Sequence, residues 1–106
     1  MATTSGSIVI RSANAGTNGA SGLLQFSSGT TSSGSTGSIS IGSGAATGGK
    51  GGHVSISVGG GNSGAGGVIQ LTSGEADTKT GGAIDITTGQ GIATTSGAIT
   101  IRTSNA

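Results

Sequence analysis

Seven times along this chain a glycine is followed, two and four residues later, by an aliphatic or aromatic side chain. The glycines are Gly6, Gly22, Gly37, Gly52, Gly67, Gly82 and Gly97, so that every interval but the first, of sixteen, is fifteen residues. A fixed period of this length is the mark of repeated supersecondary units and outranks composition as a signal. Counting each repeat from its glycine, position 3 holds Ile8, Leu24, Ile39, Val54, Ile69, Ile84 and Ile99, and position 5 holds Ile10, Phe26, Ile41, Ile56, Leu71, Ile86 and Ile101. Alternation with a period of two and a preference for β-branched residues predict a strand in each repeat, with both ladders facing inward as the core. The expected fold is all-β: a single parallel β-solenoid, or β-helix, of about seven fifteen-residue coils with no helix. Coils about 4.8 Å apart would give a rod on the order of 35 Å long.

Position 7 carries Ser12, Ser28, Ser43, Val58, Ser73, Thr88 and Thr103, and position 8 carries Gly29, Gly44, Gly59, Gly74 and Gly89. This reads as a corner at which hydroxyls bond the turn backbone and the glycines adopt angles other residues avoid. The rest of each repeat offers only small residues to pack under the apolar strand, which predicts a thin cross-section. One domain, 1–106, is expected, in the manner of an uncapped section of a longer array. MATTS at the amino end would fill the positions that the final repeat, GAITIRTSNA, leaves open, and IATTSG at 92–97 echoes MATTSG at 1–6. Copies stacked head to tail would complete a coil, a heterologous contact that builds filaments when it does not close.

Glycine (25), serine (18), threonine (16) and alanine (12) make up two thirds of the 106 residues. Without the period, such a composition would read as a flexible linker. Four Lys/Arg against three Asp/Glu leave a formal charge of +1, too little to attract a phosphate backbone. Phe26 is the sole aromatic, so stacking platforms for bases or sugar rings are missing. Neither nucleic acid, nor membrane, nor a small-molecule substrate is expected as a partner. The chain has no cysteine, hence no disulfide or thiolate metal site, and its amino end lacks the layout of a secretory signal.

Gly44 to Gly51, GAATGGKG, follows a phosphate-binding loop as far as Lys50 but places Gly51 where a hydroxyl must hold magnesium. His53 is the single histidine, and Glu75, Asp77 and Asp85 are the only acids. In the expected solenoid His53 and Asp85 would lie two coils, about 10 Å, apart, which rules out a triad. Three acids supply neither the clustered carboxylates of polysaccharide cleavage nor the recurrent Asp of calcium-binding turns. The reading is therefore non-enzymatic, with no cofactor and no metal. Glu75, Asp77 and Lys79 in EADTKTG are expected on a solvated edge that discourages lateral aggregation. Arg11 and Arg102 stand at position 6 of the first and last repeats, suited to keeping the ends soluble or steering copies together.

The outward positions 4 and 6 run through Ser40, Ser55, Ser57, Thr72, Thr87 and Thr100, with Gln25, Gln70 and Asp85 among them. A second candidate face, at positions 12 and 14, includes Ser33, Ser35, Ser63, Thr78, Thr80 and Thr95. With its fifteen-residue coils, strands such as Ile39-Ser40-Ile41 and Ile84-Asp85-Ile86-Thr87, and few charges, the chain resembles the repetitive β-solenoid antifreeze proteins. It differs from the stricter members in lacking cysteine and in showing the Thr-x-Thr form only at Thr78 and Thr80. The resemblance implies a flat, hydroxyl-rich face that binds ice. The competing expectation is a structural module that stacks into an extracellular or surface filament, with other copies of itself as partner.

Overall fold

The computed structural model describes residues 4–105, and the chain divides into two units, Met1–Val54 and Ser55–Ala106. In the first, the backbone turns at 17–18 and bends at 32–34 and 47–49; in the second it bends at 62–64, 77–79 and 92–94. Counted back from the next repeat's glycine, every one of these begins five residues before it. The sixteenth residue of the first repeat is thus accommodated before Thr17, and the turn that follows stays in register. The chemistry of these bends is local. The Ser33 N–H donates to Thr31 Oγ1 at 3.3 Å, a hydroxyl-backed turn. Gly34, at φ +134°, has the only left-handed backbone among the described residues.

Between one repeat and the next the chain closes a loop on itself. In the second unit the N–H of each starting glycine donates to the carbonyl of the position-8 glycine before it: Gly67 to Gly59 at 3.4 Å, Gly82 to Gly74 at 2.9 Å and Gly97 to Gly89 at 3.0 Å. The position-7 hydroxyl adds a second tie, from Ser73 Oγ to the Gly82 carbonyl at 2.8 Å and, in the first unit, from Ser43 Oγ to the Gly52 carbonyl at 2.7 Å. Most of the position-1 glycines have room for a Cβ in ordinary contact. A Cβ there would meet the preceding position-7 side chain in both units: Ser12 from Gly22, Ser28 from Gly37, Ser43 from Gly52, Ser73 from Gly82 and Thr88 from Gly97, at 3.4–3.8 Å. At Gly67 it would overlap Val58 Cγ1. Gly59, Gly74 and Gly89 serve as carbonyl acceptors, and none of the position-8 glycines has the left-handed angles expected of them.

This closure overturns the all-β reading. Among the described residues there is no strand, no sheet and no helix, so the chain is not a parallel β-solenoid or β-helix and is mostly irregular coil. The physical reason lies in the loop. A strand from position 1 to position 7 spans about 20 Å, and stacked coils require each starting glycine about 4.8 Å from the one before it, far from the previous strand's end. In the second unit Gly67, Gly82 and Gly97 are tied instead to position 8, and in the chain close approaches are almost all between residues near in sequence. Among the described residues no i to i+15 ladder forms.

The inward-facing core falls with the sheet. None of the fourteen ladder side chains is buried: at position 3 they are 48–62% exposed, with Ile8 at 90%, and at position 5, from Ile10 to Ile101, 63–89%. A folded monomer of this mass presents about 5,100 Å² to solvent and an unfolded chain about 14,000 Å²; this chain presents 10751 Å². The most covered side chains are Ser12, Ser73 and Thr88, all at position 7 and half-buried at their corners. The head-to-tail junction drew on Met1 to Ser5, of which residues 1–3, like Ala106, lie outside the described residues.

Candidate functional site

The two hydroxyl sets are placed differently along the backbone. Ser40, Ser55, Ser57, Thr72, Thr87 and Thr100 lie in the stretches between bends, all exposed. A common flat face needs a sheet to align its members, and among the described residues no pairing does so. Within this set the Thr87 hydroxyl donates to Asp85 Oδ1 at 3.0 Å, so its proton is directed to a carboxylate two residues earlier in the chain. Of the second set, Ser33, Ser63 and Thr78 sit in bends, and Ser35, Thr80 and Thr95 one residue beyond them, again all exposed. These residues are loop hydroxyls that recur at the period of the bends.

Lys50 directly follows the bend at 47–49 and no helix begins there, which leaves the phosphate-loop pattern without a dipole to complete it. Asp77 and Lys79 are the ends of the bend at 77–79, with Glu75 two residues before it, and all three are exposed. Among the described residues there is no cavity, no cluster of side chains able to hold a metal ion, and no helix long and apolar enough to cross a membrane.

What the structure brings to the surface is the apolar set. Beside the two ladders stand Val9, Leu23, Val68 and Ile92, each at least three-quarters exposed, and Val58. Monomeric soluble proteins do not often leave this many large apolar side chains in water. Sequence patterning located the ladder side chains but assigned them to an interior, because alternation reports which residues share a face and not what covers it. The corner that joins positions 7, 8 and 1 is the built feature of each repeat. Its signal was the pairing of a small hydroxyl residue with glycine nine residues on, as in Ser43 and Gly52 or Ser73 and Gly82.

No family model, no curated protein and no solved structure matches this chain. The likeness to the antifreeze solenoids therefore rests on the residues quoted for it, and the fold it implied is not the one observed.

Proposed function

We propose that this chain is a non-enzymatic structural repeat module that works by associating with further copies of itself. The observation that carries this reading is the exposure of all fourteen ladder side chains, each pair repeating at the spacing of the loop closures. The chain presents about 5,700 Å² more than a folded monomer of its mass, whereas a stable interface needs about 800 Å² from each partner. Burying that surface is favourable by roughly 25 cal/mol per Å² of apolar area. A second copy has apolar pairs at the same spacing and can meet them repeat after repeat, while an unrelated surface would match at one repeat only. With three acids and one histidine in the whole sequence, assembly is better supported than chemistry.

The test is sedimentation velocity over a wide range of protein concentration, with growth of a single ice crystal in the same solutions. Mass that climbs with concentration while crystals grow unaltered is the expected result. A monomer at every concentration that nonetheless facets ice would replace this reading with ice binding through the hydroxyl sets. A monomer that does neither would end both.

A further inference from the structure

Independently of assembly, we propose that Asn18 is the preferred site of spontaneous backbone rearrangement in this chain. Asn18 is followed by Gly19, the only Asn-Gly step in the sequence; Asn14, Asn62 and Asn105 precede Ala, Ser and Ala. The residue lies in the turn at 17–18 and, like Gly19, is exposed. Glycine leaves its own nitrogen unshielded by a Cβ and gives the backbone the freedom to bring that nitrogen onto the preceding side chain. The Gly19 N–H is held only by a long bond of 3.4 Å to the Gly16 carbonyl, against 2.9 and 3.0 Å at Gly82 and Gly97. No hydrogen bond among the described residues engages the Asn18 carboxamide.

The chemistry is balanced without a cofactor. The Gly19 nitrogen, losing its proton to solvent base, attacks Asn18 Cγ; the new N–Cγ bond forms as Cγ–Nδ2 breaks, and ammonia leaves after taking up a proton. The resulting cyclic imide is opened by water at either carbonyl, giving aspartate or its isoaspartyl isomer. No oxidation state changes. Either product replaces a neutral amide by a carboxylate and takes the formal charge from +1 to 0. The isomer also lengthens the backbone by one carbon inside the first repeat's turn.

The experiment is incubation of the full chain in mildly alkaline buffer, followed by peptide mapping by mass spectrometry and, separately, by hydroxylamine treatment, which cuts at the imide. The expected result is that the peptide bearing residue 18 gains the mass of oxygen for NH ahead of the peptide bearing Asn62, which is also exposed and lies in a bend. Cleavage should fall between Asn18 and Gly19. A Cβ at residue 19 would meet Ala15 Cβ at 3.5 Å, an ordinary contact, so Gly19→Ala retains the turn. That variant should lose most of the residue-18 signal and leave that of Asn62 unchanged. Equal rates at Asn18 and Asn62, or a Gly19→Ala chain that reacts as fast as the original, would overturn the proposal.

Discussion

Ser73 and Gly82 show how much a single pair does in this chain. The Ser73 hydroxyl donates to the Gly82 carbonyl at 2.8 Å, and the Gly82 N–H donates to the Gly74 carbonyl at 2.9 Å, so one glycine is held through both its N–H and its carbonyl. Ser73→Ala removes a bond worth about 1 kcal/mol net, and amide hydrogen exchange at Gly82 should accelerate roughly fivefold. Ser40→Ala, remote from any corner, should leave that rate unchanged. The close approach at Gly67 is tighter, because Val58 replaces the hydroxyl residue of the other corners. Gly67→Ala should open the loop at a cost of about 1–3 kcal/mol, and a second change, Val58→Ser, should restore it. Exchange at residue 67 in the single and double variants measures both effects; a double variant no better closed than the single one would mean that Val58 is not the obstacle.

The loops are where periodicity became structure. Six turns or bends, from 17–18 to 92–94, recur at a fixed distance before the next glycine, even across the one repeat that is a residue longer. The small and polar residues of these loops were legible in the sequence, but the corner was expected at positions 7 and 8 and this stretch was read as packing under the strand. The conformation of each loop was less legible. Positive φ was expected at the position-8 glycines and occurs instead at Gly34, inside the bend at 32–34. Gly34→Ala should cost about 1–3 kcal/mol of local strain. Chemical-shift changes should be confined to about residues 31–36 and accompany loss of the Ser33 to Thr31 bond; shifts that spread into the neighbouring repeats would show that the loops are not independent.

For the molecule as a whole, the decisive quantity is its solvent-exposed area, twice that of a folded monomer. If copies cover one another through the ladders, replacing Ile56 and Ile86 by Asp should weaken association by at least tenfold, because each lost burial removes about 1.5–3 kcal/mol. Sedimentation velocity reads that loss directly, and Ser55→Asp with Thr87→Asp, adding the same charges at hydroxyl positions, should weaken association far less. Equal effects from the two pairs would implicate net charge in place of the ladders. The fifteen-residue register, the identity of the apolar pairs, and the glycine and hydroxyl residues of each corner follow from the sequence alone, because spacing and side-chain size are local properties. Whether successive repeats stack was decided only in three dimensions. A period of fifteen permits a ladder between residues i and i+15, but it equally permits a loop that ties each starting glycine to position 8 of the repeat before it, and the hydrogen bonds from Gly67, Gly82 and Gly97 take that shorter path.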